Sequence, residues 1–177
     1  MRRRGAKQAA AMHQRSRAPG VGPQRHKKMT RYALVVSQYH DFVTARLQQG
    51  ALAALTSAGV RADDVTVLKV PGAFEIPFAA RKAAESGRYQ AIVCLGCLIK
   101  GATPHFDFIA SAVAHGLTDA AGTTGVPMAF GVLTTNSAEE ALERAGEGSS
   151  NKGWEAATAA IEMAALVAKL SESRGRE

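Results

Sequence analysis

From Met29 onward the sequence predicts an α/β fold, with a parallel sheet covered by helices on both faces. Two observations carry this. Hydrophobic periodicity alternates four times between strand-like and helix-like. The runs Tyr32 to Ser37 and Ala91 to Leu95 are continuously apolar, or nearly so, as strands buried on both faces must be. Such an order implies right-handed crossovers, and ligands in such sheets sit beyond the carboxyl ends of the strands.

The first strand covers residues 32–37. A helix follows over 41–58, with Phe42, Val43, Leu47, Leu52 and Leu55 on or near one face, and Gly59 ends it. Residues 65–70, rich in valine, form the second strand, and Pro71-Gly72 the turn after it. A helix over 74–86 closes at Gly87, and the third strand spans 91–95. After a loop, a helix runs from about Pro104 to Ala121, and 127–133 is the fourth strand. Helices near 137–145 and 152–170 close the chain, with 171–177 expected to fray.

The chain has 177 residues, 46% of them hydrophobic and 21% charged, which suits one domain able to bury a core. No apolar run approaches the roughly 20 residues of a membrane helix. Two cysteines exclude a disulfide scaffold and fit a reducing, cytoplasmic setting. The net charge of +7 is unevenly placed: residues 1–28 hold nine Lys/Arg and no acid, which leaves 13 basic and 15 acidic residues for 29–177. The domain itself is therefore near neutral. The segment 1–28 is too poor in apolar periodicity to offset its ordering entropy and reads as a disordered basic extension of a 29–177 domain. A solvated arm is the expectation, with polyanion contact or targeting as alternatives, and nucleic acid is not the expected partner.

The loops after the strands are where chemistry is sought. In Gly96-Cys-Leu-Ile-Lys-Gly-Ala-Thr-Pro-His105, Gly101 lets the backbone turn, Thr103 suits an N-cap and Pro104 the first helical position. The amides near Gly101, Ala102 and Thr103 would then make an anion site at a positive helix end, unless the loop is only a well-capped start. His105 lies beside it. Imidazole exchanges protons near neutral pH, and a helix N-terminus favours its neutral, basic form. Glu75, at a strand-to-helix junction, either favours the helix dipole or accepts hydrogen bonds from a polyhydroxylated chain. The backbone at Ala73 and Phe74 could read amide edges, and Tyr39 either packs at the rim or stacks a planar ring. Arg144, ending a short helix, either caps its carbonyls or grips a phosphate. The segment from Gly146 to Gly153 fails as a P-loop, because Asn151 stands where a glycine must precede the lysine; Asn151 reads as an N-cap. Cys94 and Cys97 form a C-x-x-C with no second pair and read as core thiols rather than as a zinc or redox motif.

Together, Val70-Pro-Gly-Ala-Phe-Glu-Ile-Pro77, Leu98-Ile-Lys-Gly-Ala-Thr-Pro-His-Phe-Asp107, Phe130-Gly-Val-Leu-Thr-Thr135, Glu143-Arg-Ala-Gly146 and Asn151-Lys-Gly-Trp-Glu155 resemble the 6,7-dimethyl-8-ribityllumazine synthase family of riboflavin biosynthesis. The likeness covers about residues 31–170 in order. It implies a flavodoxin-like three-layer α/β/α sandwich with a four-stranded parallel sheet. It also implies a transferase that condenses 5-amino-6-(D-ribitylamino)uracil with (S)-3,4-dihydroxy-2-butanone 4-phosphate, using no metal or other cofactor. By the same resemblance His105 is the proton-transfer residue, Ala102, Thr103 and Arg144 contact phosphate, and Ala73, Phe74, Glu75, Cys97, Leu98 and Ile99 contact the ribityl chain and pyrimidine. Tyr39 stands at the ring-stacking position, Phe130 is lent by a neighbouring subunit, and Lys152 supports. Tyr39 and His40 depart from the family's commoner Phe or Trp and Asn. The resemblance implies a pentamer or an assembly of pentamers, with sites shared between subunits and a functional link to riboflavin synthase. A non-catalytic flavin- or ribityl-binding protein and a shell-forming protein are the alternatives.

Overall fold

The computed structural model describes residues 31–174. The expectations for the extension over 1–28, and for residues 175–177, lie outside the described residues. Four strands, β1 (Tyr32–Ser37), β2 (Val65–Val70), β3 (Ala91–Ile99) and β4 (Met128–Thr135), form one all-parallel sheet in the order β2-β1-β3-β4. Five helices, α1 (Asp41–Ser57), α2 (Ile76–Glu85), α3 (His105–Thr124), α4 (Ala138–Arg144) and α5 (Lys152–Arg174), connect and close it. This is the flavodoxin-like three-layer sandwich that the sequence predicts.

Alternation along the central strands divides the core in two. Leu34, Val36, Val93, Leu95 and Cys97 face a layer made by α1, α4 and α5. Ala33, Val35, Ile92, Cys94 and Leu98 face a layer made by α2 and α3. β1 and β3 have neighbours on both edges and helices on both faces, which is why they read as unbroken apolar runs.

Several boundaries differ from the sequence reading. β3 continues four residues past Leu95, because Gly96 to Ile99 pair with Val132 to Thr135 of β4. β4 in turn reaches Thr135, not Leu133. The helix expected from residue 74 begins as a short 3-10 turn, Ala73–Glu75, before α2. α3 runs past Ala121 to Thr124 and stops at Gly125, whose φ of 69° is left-handed. α5 stays helical to Arg174 instead of fraying from Ser171. On α1, Phe42 is exposed and Leu52 only partly buried; the buried stripe is Val43, Thr44, Leu47, Ala51, Ala54 and Leu55.

The α1–α5 contact needs a backbone approach that only small residues permit. A Cβ at Gly153 would overlap the Leu47 carbonyl, and one at Gly50 would overlap the Asn151 side chain. Asn151 is the N-cap that the sequence suggests: its Oδ1 accepts from the Gly153 amide at 2.8 Å and from the Trp154 amide at 3.3 Å. Its Nδ2 donates to the Gly146 carbonyl at 2.7 Å and the Arg46 carbonyl at 3.2 Å, joining α1, the loop before α5 and α5 itself. Replacing Gly153 by Ala forces the helices apart and is expected to lower unfolding stability by about 3 kcal/mol. An unchanged midpoint in urea-induced unfolding would contradict this packing.

Candidate functional site

The carboxyl ends of β1, β2 and β3 open into one cavity of about 860 Å³. That volume suits a drug-sized ligand. Each wall comes from a separate piece of chain. Tyr39 and His40 follow β1, Gly72 to Glu75 follow β2, and Cys97 to Gly101 leave β3. Thr103, His105, Phe106, Phe108 and Ile109 come from the start of α3.

Backbone bonds fix these pieces to one another. The Gln38 amide donates to the Val70 carbonyl at 2.8 Å and the Tyr39 amide to the Pro71 carbonyl at 3.1 Å. The loop after β1 is thereby fastened to the exit of β2. Thr44 Oγ1 donates to the buried Ser37 carbonyl at 2.8 Å, anchoring α1 to the same loop. The Lys100 amide donates to the Thr135 carbonyl at 2.9 Å and extends the β3–β4 ladder by one rung.

Of the residues singled out from sequence, Tyr39, Ala73, Phe74, Glu75, Cys97, Leu98, Ile99, Thr103 and His105 line this cavity. Ala102 is exposed in the adjoining loop but not in the lining. His105 is exposed and is the first residue of α3. Pro104 occupies the cap position in place of the expected Thr103, whose hydroxyl makes no cap bond. The Pro104 carbonyl accepts from the Asp107 amide at 3.1 Å and the Phe108 amide at 3.3 Å. Among the described residues the His105 and Phe106 amides have no acceptor, so the positive end of α3 remains uncapped. Gly101 does not adopt a left-handed φ, and nothing lies within 4 Å of the place a Cβ would take, so it leaves open space where a turn was expected. Glu75 is exposed, and its Oε2 lies 3.0 Å from where a Cβ on Gly72 would stand. A side chain at 72 would crowd that carboxylate.

Phe130 and Arg144 are elsewhere. They line a separate cavity of about 410 Å³ against edge strand β4, together with Lys152, and it shares no lining residue with the first. Arg144 Nη1 donates to the Glu140 carbonyl at 3.1 Å, the capping role. Lys152 pairs with Glu155 at 2.7 Å. Phe130 is half exposed.

Sequence reasoning assigned no role to Gly72, Lys100 or Phe108 in the main cavity, and singled out His40 only as a departure from the family beside Tyr39. Phe108, two-thirds exposed at the rim, carries a signal that could have found it: a phenylalanine one turn into a helix on its solvent side. His40 is the one non-glycine residue with positive φ among the described residues, at φ 59° and ψ 48°. Holding it there costs of order 1 kcal/mol. Burial keeps its imidazole below the usual histidine pKa. Among the described residues no three His, Cys, Asp or Glu side chains cluster as a metal site, and no helix is long and apolar enough to cross a membrane.

Comparison with known proteins gives a consistent result. The family model described as 6,7-dimethyl-8-ribityllumazine synthase matches residues 29–168. A protein of Syntrophus aciditrophicus (strain SB), named 6,7-dimethyl-8-ribityllumazine synthase, is 49% identical over 143 residues, covering 81% of this chain and 93% of that protein.

The two cysteines face opposite sides of β3, Cys97 toward the α1/α5 layer and Cys94 toward the α2/α3 layer. Three strand residues apart, their Cα atoms stand about 10 Å from each other, too far for a disulfide. Burial raises both thiols, Cys97 to about 11 and Cys94 further. Because the thiolate is the reactive form, the shift at Cys97 cuts its reactive fraction at pH 8 by about a hundredfold against an ordinary thiol. Iodoacetamide at pH 8 should leave both thiols of the native protein nearly untouched and alkylate both in urea. Rapid native alkylation, or a Cys94–Cys97 disulfide, would contradict the burial.

Proposed function

The chain belongs to the 6,7-dimethyl-8-ribityllumazine synthase family, and on that premise we propose that the cavity between Tyr39 and the tip of α3 is where its two substrates meet. The protein is an enzyme of riboflavin biosynthesis, a transferase that condenses 5-amino-6-(D-ribitylamino)uracil with (S)-3,4-dihydroxy-2-butanone 4-phosphate to give 6,7-dimethyl-8-ribityllumazine, phosphate and water.

One observation carries the assignment: His105 opens α3 and faces the same cavity as Glu75 and the end of β3. Tyr39 stacks on the pyrimidine ring while Cys97, Leu98 and Ile99 read its edge. Ala73, Phe74 and Glu75 hold the ribityl chain. The uncapped amides at the start of α3, with Ala102 and Thr103, take the phosphate. The amine attacks the ketone, loss of water gives a Schiff base, phosphate leaves, and ring closure loses a second water. His105, next to the phosphate, moves the protons that these steps require. Holding both substrates in one orientation supplies much of the rate, so no strong acid is required.

Arg144 and Phe130 line a different cavity in the chain, which favours a site completed by a second copy. In this reading a neighbouring subunit presents its β4 edge, with Phe130 over the ring and Arg144 toward the phosphate. Cyclic packing of that kind fits a pentamer or an assembly of pentamers. Residues 29–177 form the catalytic domain, the basic extension over 1–28 stands outside it, the enzyme works in the cytoplasm, and riboflavin synthase consumes its product.

His105→Ala should lower kcat by about a hundredfold with little change in affinity for the uracil substrate. Unchanged turnover would remove His105 from the chemistry. Arg144→Ala should raise KM for the phosphorylated ketone about tenfold and leave KM for the uracil within about twofold. Equal effects on both would contradict its phosphate role. With the phosphorylated ketone held well below KM, where each variant alone is slow, co-assembling the two by joint refolding should give about a quarter of wild-type activity, because random assembly makes that share of intact shared sites. No restoration would mean that each chain carries a whole site.

A further inference from the structure

We infer that Asn151 is a positioning residue for the phosphate subsite, and that its side-chain amide acts by holding the corner between α4 and α5 that presents Arg144. The inference rests on the phosphate role proposed above for Arg144 and extends it to a buried residue that touches no substrate.

Arg144 is the last residue of α4, a helix of 7 residues. So short a helix does not hold its shape alone in water, and the place of Arg144 depends on what pins the two ends of α4. The first end is held by a capping box: Ser137 Oγ accepts from the Glu140 amide at 3.3 Å, and Glu140 Oε2 accepts from the Asn136 amide at 3.0 Å. The second end is held by Asn151. The Gly146 amide closes the last turn onto the Glu143 carbonyl at 3.2 Å, and Asn151 Nδ2 donates to the Gly146 carbonyl at 2.7 Å. The same Nδ2 reaches the Arg46 carbonyl of α1 at 3.2 Å, 105 residues away in the chain. Its Oδ1 takes the Gly153 and Trp154 amides of α5. Both donors and both acceptor positions are thereby used, and the residue is only 3% exposed, so it has nothing left to offer a ligand directly. Gly50 leaves the space that this side chain fills. An N-cap needs only an oxygen, which Ser, Thr or Asp supplies as well. The two bonds made by Nδ2 lie outside the capping role, and they fasten the chain just past Arg144 to α1. Lys152, which lines the same cavity as Arg144, follows Asn151 directly.

Asn151→Asp separates the two halves of the side chain. It keeps the shape and the oxygen that caps α5, and it turns both donated bonds into repulsions between oxygens. KM for the phosphorylated ketone should rise about fivefold, while kcat and KM for the uracil stay within about twofold. Leu117→Ala, which opens a cavity in the opposite helix layer, should lower the melting temperature and leave both KM values within about twofold. In the double variant Asn151→Asp, Arg144→Ala, the ketone KM should match that of Arg144→Ala alone, because a positioning residue has no effect once its target is gone. Asn151→Ser, which also retains a capping oxygen, is read in the same way and takes over if Asn151→Asp does not fold. Multiplied effects in the double variant would overturn the inference, as would equal losses on both substrates. So would an unchanged ketone KM in Asn151→Asp beside a raised one in Arg144→Ala. If Arg144→Ala itself does not raise the ketone KM selectively, the phosphate reading fails, and this inference falls with it.

Discussion

The site depends on β3. It is hydrogen-bonded to β1 along one edge and to β4 along the other, and it is buried on both faces up to its last residues. Pairing of Gly96 to Ile99 with β4 holds four more residues in extended form than the apolar run alone would support. Three of them, Cys97, Leu98 and Ile99, line the cavity, and the chain leaves them through Lys100 and Gly101 to reach the tip of α3. A strand ending at Leu95 would leave Cys97, Leu98 and Ile99 in a loop, where no ladder would fix the direction of their backbone groups.

The remaining walls are attached to that frame by short bonds between neighbouring strand exits. β1 hands over to Tyr39 and His40 within two residues, and β2 to Gly72 through Glu75, while the Tyr39 amide ties the two exits together. Rigid strands thus deliver aromatic, carboxylate and imidazole groups from distant parts of the sequence into about 860 Å³. The uncapped start of α3 adds a fixed positive potential on one side. Positioning and a stationary dipole suit a condensation whose steps need oriented proton transfer more than a strong acid. The edge strand β4 carries Phe130 on the opposite side of the design. Its half-exposed ring and Arg144 line the second cavity there.

How far the sequence revealed this follows from which forces are local. β1 and β2 were legible to the residue; the apolar run of β1 matches its complete burial, while β2, with Val67 exposed, was legible by its β-branched residues and the Pro71-Gly72 turn after it. Gly59 and Gly87 marked helix ends by their left-handed φ, and Asn151 announced its cap by preceding a helical pattern. The ends of β3 and β4 were not legible, since each is set by the other strand. The exposure of Phe42 was missed because the small residues Ala51 and Ala54, with Thr44, fill the buried stripe of α1. The resemblance put Arg144 with the phosphate contacts, but only the folded arrangement of β4, α4 and α5 shows that it opens on its own cavity. The left-handed φ at His40 was not read from the sequence, although histidine is among the non-glycine residues that visit that region more often.

The most direct test is a crystal structure of the assembled enzyme with a ribitylaminouracil analogue and inorganic phosphate. The account predicts the pyrimidine against Tyr39, the ribityl chain at Glu75, and phosphate at the His105 amide within reach of a neighbouring subunit's arginine. Phosphate bound away from the start of α3, or a ring seated in a cavity that excludes His105, would contradict it.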